Sequence, residues 1–150
     1  MSELEKLLRL SVDEGCFPDE LKDPWICPIW KGESRALPVN YRPVSLVSNI
    51  SKVLEKVVRK QMVDFLEEND LVDVNQHGAL HGRSTLTQLL DQQQEILKIL
   101  ENGEIVEVIY LNFSKAFDSC NHSIMLRKMR NFGFSGNLLR WIASFLTGRK

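Results

Sequence analysis

Apolar residues recur at helical spacing over most of the chain, with short polar or glycine-containing breaks between the periodic stretches. The first stretch places Leu7 and Leu8 behind Ser2-Glu3-Leu4-Glu5, which matches a capping box, and the helix should end near Gly15. A longer helix is predicted over about residues 49–68, because its apolar residues fall on one face. They are Ile50, Val53, Leu54, Val57, Val58, Met62, Phe65 and Leu66.

Three more helices are predicted in the second half of the chain. One runs to Glu101 from about Ser84, a plausible N-cap, with its apolar side chains facing inward. Two short helices are predicted at about 123–132 and 137–146, each closed by a nearby glycine. The inward-facing residues of the longer helix are Leu86, Leu89, Leu90, Ile96, Leu97 and Leu100.

Strand signals are few. Residues 25–30 form a short apolar run, but Pro28 confines it to an edge or an irregular position. Residues 105–113 are apolar almost throughout, as a central strand buried on both faces should be. Residues 31–40 and 67–84 are loop-like. We therefore expect a helix-rich α+β fold, and one central strand with unpaired edges indicates a domain left incomplete by this reading frame.

Composition and charge are those of a folded domain. With 150 residues, 43% of them apolar, one domain with a real core is expected and disorder is not. The net charge is −1, yet residues 31–60 carry +5 and residues 119–150 carry +6, whereas residues 1–30 carry −4 and residues 61–118 carry −8. Two basic blocks fit a polyanion-binding surface as well as they fit ordinary variation in surface charge.

The cellular setting follows from what the sequence lacks. Cys16, Cys27 and Cys120 are odd in number and widely spaced, which argues against a disulfide framework. The acidic start has no apolar core of the signal-peptide kind, and no apolar stretch is long enough to span a bilayer. We expect an intracellular chain, cytoplasmic or nuclear, with no membrane partner.

The end of the 105–113 run carries the candidate chemistry. A buried strand that ends in a polar residue before a turn is a usual place for a catalytic carboxylate, and nucleotidyl transfer uses such a group to hold two divalent cations. Here the position is Asn112, a neutral amide that can ligate one cation but adds no charge. Other signatures are weak: His77 and His81 lie beside glycines, which disfavours a zinc site, and Cys120 has no evident triad partner.

Four short motifs follow one another along the chain: Asn40-Tyr41-Arg42-Pro43-Val44-Ser45-Leu46, Gln76-His77-Gly78, Gly82-Arg83-Ser84-Thr85 and Phe113-Ser114-Lys115-Ala116-Phe117-Asp118. In this order and spacing they resemble the reverse transcriptase domain of non-LTR retrotransposons, most closely jockey- or CR1-like elements. The resemblance covers about residues 17–150.

The resemblance implies a fold and a reaction. The chain would form the fingers, at about 17–104, and the first part of the palm, at about 105–150, of a right-hand polymerase. The family copies RNA into DNA with Mg²⁺ and deoxynucleoside triphosphates, so RNA or an RNA/DNA hybrid is the implied partner. The rest of the palm and the thumb would come from a missing segment or another chain.

Site residues carry over position by position. Lys31 and Arg42 lie where the family places basic groups against the incoming triphosphate, and the guanidinium fork of Arg42 suits phosphate better. The backbone carbonyl of Phe113 would face a metal, and Phe117 matches the bulky residue that screens the sugar 2′ hydroxyl. Asp118 matches the second acidic residue of the motif, which is not the main metal ligand, or it caps a turn.

Several cations are candidates for contacts with nucleic acid. Lys52, Lys56 and Lys60 recur every four residues on the helix at 49–68, either as a phosphate-binding stripe or as a solvated face. Arg83 would support template or nucleotide, or belong to a turn and helix cap. Lys115 is expected to be exposed beside the catalytic motif.

Departures from the family count against activity. Asn112 replaces the first metal-binding aspartate, whose charge offsets that of the metals and the transition state. Leu80 and Asn121 stand where relatives often have arginine and aspartate, and no Asp-Asp pair occurs in the chain. Three hypotheses result: an inactive reverse transcriptase remnant, which is favoured; a module that binds RNA or another partner; and an active enzyme whose remaining palm comes from another chain or a longer product.

Overall fold

The computed structural model describes residues 3–113 and 116–149, and its helices begin and end close to where the apolar periodicity predicts. The described part contains α1 at Glu3–Glu14, α2 at Asn49–Glu68, α3 at Thr85–Glu101, α4 at His122–Asn131 and α5 at Gly136–Leu146. The five predicted helices and the helix-rich α+β class are confirmed. Ser2 of the predicted capping box lies outside the described residues. No described helix has the length and apolar character needed to cross a membrane.

The chain divides into two units. Lys60–Ser119 forms one, and the residues up to Arg59 together with those from Cys120 onward form the other. We call them the inserted unit and the terminal unit. Helix α2 begins in the terminal unit and ends in the inserted unit. The division into fingers and palm that the family resemblance implies stays a prediction.

The terminal unit has an aromatic core between α1 and α5. The Phe17 ring meets Trp141 edge-on, with 5.3 Å between ring centroids, and Phe145 edge-on at 5.1 Å. The indole N–H of Trp141 donates to Ser11 Oγ at 2.9 Å, so the buried ring leaves no polar group unpaired. Gly15 lets the two helices approach, because a Cβ there would lie 2.7 Å from the carbonyl oxygen of Asn137.

Helix α2 adds a second part of this core. Leu54 and Val58 are buried, one turn apart on the same face. Ser51 is fully buried, and its hydroxyl donates to Glu55 Oε1 at 2.7 Å. Arg149 lies 3.9 Å from the same carboxylate and places its guanidinium 3.8 Å from the centroid of Phe145. These contacts join α2 to the aromatic cluster.

A β-hairpin in the terminal unit confirms the predicted strand at 25–30 and adds one that was not predicted. Strand β1, Trp25–Trp30, pairs antiparallel with β2, Tyr41–Leu46. Pro28 and Pro43 face each other in this two-stranded ladder, where outward-facing positions need no N–H donor. The β2 stretch was read only as a motif, because Pro43 and its polar neighbours mask the strand pattern.

In the inserted unit the helix boundaries are as predicted but the burial is not. Ser84 caps α3 through a reciprocal pair of bonds with Thr87. The expectation that the leucines of α3 face a core is wrong, since none of its residues is buried within the described structure. Their spacing gives the helix an apolar stripe, but no element of the described residues covers it.

The predicted central strand at 105–113 is also wrong. None of these residues is in a strand, and Ile105 is 96% exposed. The run has strand propensity, but a strand needs a neighbour to complete its hydrogen-bond ladder. The two strands in the described part of the chain are β1 and β2, and they pair with each other.

Candidate functional site

The candidate catalytic motif lies on an exposed stretch of the inserted unit. Asn112 and Phe113 end a segment without regular secondary structure at 104–113, and residues 116–119 form a turn that contains Phe117 and Asp118. Each of these four side chains is exposed, with Phe117 at 94%. The described residues therefore leave these side chains open to solvent. Lys115 lies outside the described residues.

The two predicted triphosphate ligands share one face of the hairpin. Arg42 pairs with Ile29, and Lys31 follows β1 with its N–H donating to the carbonyl of Asn40 at 2.8 Å. Side chains alternate between the faces of a strand, so Ile29, Lys31 and Arg42 project on the same side. Both cations are exposed. The geometry can place two positive charges against one anionic group.

The opposite face of the hairpin carries a different feature. The guanidinium of Arg35 lies 4.6 Å from the ring centroid of Trp30, and the hydroxyl of Tyr41 donates to the Arg35 carbonyl at 3.0 Å. Arg35 and Tyr41 also line a shallow groove of about 560 Å³ between the prolines of this face. Arg35 was not among the predicted site residues, and its position in a loop gave no periodic signal.

The predicted lysine stripe on α2 is not uniform. Lys52 and Lys56 are exposed, and neither forms an ion pair with any carboxylate in the described parts of the chain. Lys60 pairs with Asp64 at 2.5 Å. The hydrogen bond from Lys60 and the charge of Asp64 raise the pKa of the Lys60 ammonium. Lys52 and Lys56 are thus the members of the stripe best able to meet an external anion.

The Arg83 guanidinium forms hydrogen bonds within its own loop. One of its guanidinium nitrogens donates to the carbonyls of Val74 and Gln76, both at 2.6 Å, and to that of Asp73 at 3.4 Å. These contacts fold the chain between α2 and α3. Of the two roles considered for the Gly82–Thr85 motif, the turn-and-cap role has direct support, and a contact with nucleic acid stays a prediction.

A second polar cluster was not recognised from the sequence. His77 lies with Nδ1 2.9 Å from Thr87 Oγ1 and Nε2 3.3 Å from Asp91 Oδ2. His77 and Asp91 border a groove of about 470 Å³ between α3 and the segment at Val108–Tyr110. Thr87 and Asp91 are four apart and so share a helix face. That spacing was visible in the sequence, but nothing indicated that His77 would reach it.

The donors at the candidate site do not fit a pair of magnesium ions. Asp118 is the only carboxylate between residues 112 and 118, and Asn112 offers a neutral oxygen. Magnesium sites in nucleotidyl transfer depend on carboxylates whose charge balances the metals. Across residues 3–113 and 116–149, no three side chains of His, Cys, Asp or Glu converge on a metal-sized site.

Comparison with known proteins decides the ancestry. A family model described as "Reverse transcriptase (RNA-dependent DNA polymerase)" matches residues 29–150. This chain belongs to the reverse transcriptase family. It is 30% identical over 137 residues to the RNA-directed DNA polymerase from mobile element jockey of Drosophila funebris, a match that covers 91% of this chain and 15% of the relative.

Two further relatives agree with this assignment. The probable RNA-directed DNA polymerases from transposon BS and from transposon X-element of Drosophila melanogaster are 27% and 29% identical to it, each over 89% of this chain and 15% of the relative. The predicted resemblance to jockey-like elements is confirmed. The reverse transcriptase segment spans only 15% of the length of the relatives it matches.

Proposed function

We propose that this chain is the fingers and early palm of a jockey-like RNA-directed DNA polymerase and that it does not polymerise by itself. The observation that carries the proposal is the amide at Asn112, within the matched region, at the position where the resemblance places a metal-binding aspartate. Replacing a carboxylate by an amide removes a full negative charge from a site that must offset two divalent cations.

The surroundings of Asn112 support the same proposal. The side chains of Asn112, Phe113 and Asp118 are exposed, so the described residues do not give them the closed environment in which metal and transition-state charges interact strongly. A closed site would require further strands beside residues 105–113. We expect such strands from the polymerase sequence that lies beyond the matched 15% in the relatives.

A primer-extension assay tests the proposal. Purified 1–150 should extend no primer on an RNA template with Mg²⁺ or Mn²⁺. We then join the remainder of the Drosophila funebris jockey polymerase after residue 150 and compare Asn112 with Asn112→Asp in this chimera. Restoring the carboxylate should raise the extension rate by on the order of a hundredfold or more.

Asn131→Asp is the matched control, because it makes the same amide-to-carboxylate change at a position outside the four motifs. Asn131 is exposed at the end of α4. This variant should leave the extension rate unchanged. Extension by 1–150 alone, or equal rates for the chimeras with Asn112 and Asp at 112, would refute the proposed lesion.

A second candidate function is RNA binding without catalysis. The exposure of Lys52 and Lys56 favours it, together with the absence of an ion pair to either ammonium among residues 3–113 and 116–149. Such an ammonium can neutralise a phosphate without first breaking an ion pair. Lys31 and Arg42 on the hairpin would add two more contacts. This surface would bind the sugar-phosphate backbone with little sequence preference.

The salt dependence of RNA affinity tests this candidate. Each phosphate contact contributes a slope of about −0.7 to log K against log salt for a single strand. The double variant Lys52→Gln/Lys56→Gln should therefore flatten the slope by about 1.4. Lys60→Gln is the control on the same helix, and its effect should be smaller because Asp64 already engages Lys60. Affinity that does not change with salt would exclude this function.

A further inference from the structure

The loop between α2 and α3, residues 69–84, is tied to the first turns of α3 by a small polar network. The hydroxyl oxygen of Thr87 accepts the backbone N–H of Ser84 at 2.9 Å and lies 2.8 Å from the Ser84 carbonyl. His77, from the middle of the loop, reaches the same oxygen at 2.9 Å and Asp91 at 3.3 Å. Only 9% of the His77 side chain is exposed.

Counting protons shows which state of His77 fits this arrangement. The Thr87 hydroxyl has one proton, and its contact with the Ser84 carbonyl uses it. His77 Nδ1 must then donate to Thr87. Nε2 faces a carboxylate oxygen, so it also needs a proton to make a favourable contact. An imidazole ring that carries both protons is the imidazolium cation.

The neutral ring cannot keep every contact. With its proton on Nδ1, Nε2 presents a lone pair to the carboxylate of Asp91. With its proton on Nε2, Nδ1 must accept the Thr87 proton, and the Ser84 carbonyl loses that donor. Protonation therefore adds one hydrogen bond and an attraction between opposite charges to the link between loop and helix.

We infer that His77 is a proton-dependent clasp that fastens the α2–α3 loop to the N-terminal turns of α3. Asp91 is the carboxylate within ion-pair distance of the ring, and it is 68% exposed, so water weakens the attraction without removing it. The other charged or titratable groups of the groove and the loop are Asp70, Asp73, His81, Arg83, Glu95, Lys98 and Tyr110.

Arg83 confines the effect of His77 protonation to the contact between His77 and α3. Its bonds to the carbonyls of Val74 and Gln76 do not involve a group that titrates near neutral pH, so one side of the loop stays folded when His77 loses its proton. The link from His77 to α3 is the part that changes. Loss of the proton should thus loosen the cap of α3 and leave the rest of the helix in place.

Amide hydrogen exchange on purified 1–150 tests the inference. The Ser84 and Thr87 amides report on the cap directly, because they donate to Thr87 Oγ1 and Ser84 Oγ. Relative to the intrinsic exchange rate at each pH, their protection should rise about three- to tenfold between about pH 8 and about pH 5.5. Equal protection at both pH values would overturn the inference.

Two variants in the same region sharpen the test. Asp91→Asn should abolish most of the pH response, because it removes the charge opposite His77. His81→Asn changes an exposed histidine of the same loop and should leave the response intact. A full response in Asp91→Asn, or its loss in His81→Asn, would contradict the clasp.

A spectroscopic measurement does not depend on any variant folding. In nitrogen-15 spectra of the unmodified chain, both ring nitrogens of His77 should carry slowly exchanging protons at about pH 5.5, since both are hydrogen-bonded. Rapid solvent exchange at both nitrogens there would refute the inference.

Discussion

Helices α5 and α3 are equally regular, yet their apolar residues have opposite surroundings. In α5, Leu139, Trp141 and Ile142 are buried against the terminal-unit core. In α3 none of the described residues is buried, although leucines recur along it. The difference teaches that a periodic apolar stripe is enough to specify a helix, whereas burial depends on a second element being present.

The N-caps of the same two helices differ in the opposite sense: the exposed helix α3 has the capping hydrogen bonds and the buried helix α5 does not. Ser84 and Thr87 cap α3 reciprocally, whereas the side chain of Ser135 makes no capping bond to α5. Helix α3 thus relies on local hydrogen bonds, and α5 relies on tertiary contacts.

Removing a buried indole should have the largest effect. Trp141 is 2% exposed and Trp25 is 82% exposed. We expect Trp141→Ala to lower the free energy of unfolding by about 3–5 kcal/mol, because it leaves a cavity and deprives Ser11 of its donor. Trp25→Ala should cost less than about 1 kcal/mol, the range of a cross-strand contact. Urea unfolding followed by circular dichroism measures the free energy of unfolding of both variants. Similar losses for Trp141→Ala and Trp25→Ala would contradict the contrast between the buried and the exposed ring.

Changing the N-cap residues should have an intermediate effect on stability, and here α3 should lose more than α5. Ser84→Ala should destabilise α3 by about 1 kcal/mol, because the N–H of Thr87 loses its acceptor. Ser135→Ala should change stability by less than about 0.5 kcal/mol, since no capping bond is lost. Hydrogen exchange in the first turn of each helix is the measurement. A larger effect at Ser135 would show that α5 depends on its cap.

The Lys60–Asp64 pair should give the smallest effect. Asp64 raises the pKa of Lys60, first through the hydrogen bond and then through its charge, and Glu68 adds a lesser contribution. The stabilisation is therefore complete below the ordinary lysine pKa and is lost as the pH rises through the raised value. A side-chain NMR titration should show a lower Lys60 pKa in Asp64→Asn and a smaller decrease in Glu68→Gln. The opposite order would contradict the assigned causes.

Local features were predictable from the sequence, and features that need a partner were not. The bounds of α2 agree with its periodic face, and Ser84 was predicted as a cap, because both depend on residues within a few positions. The prediction of a strand at 105–113 was wrong, because strand propensity does not specify a neighbouring strand with which the segment could pair. The β2 strand was missed because Pro43 is acceptable there only in a two-stranded ladder.

The candidate site divides in the same way. The motif order identified Asn112 and Asp118 as candidate site residues. Their exposure could not be predicted, because it depends on which other elements lie beside them. The hairpin register, which brings Lys31 and Arg42 to one face, required the unpredicted strand. The His77 contacts cross a loop, where no periodicity guides a prediction.

The exposed segment at 105–113 also affects how the chain should behave at high concentration. From Val108 to Phe113 it contains no charge, no proline and no glycine, and most of its side chains are exposed. Exposed windows of this kind are sites where cross-β stacking begins. Unless another strand or a partner covers these six residues, they should make the chain prone to aggregation.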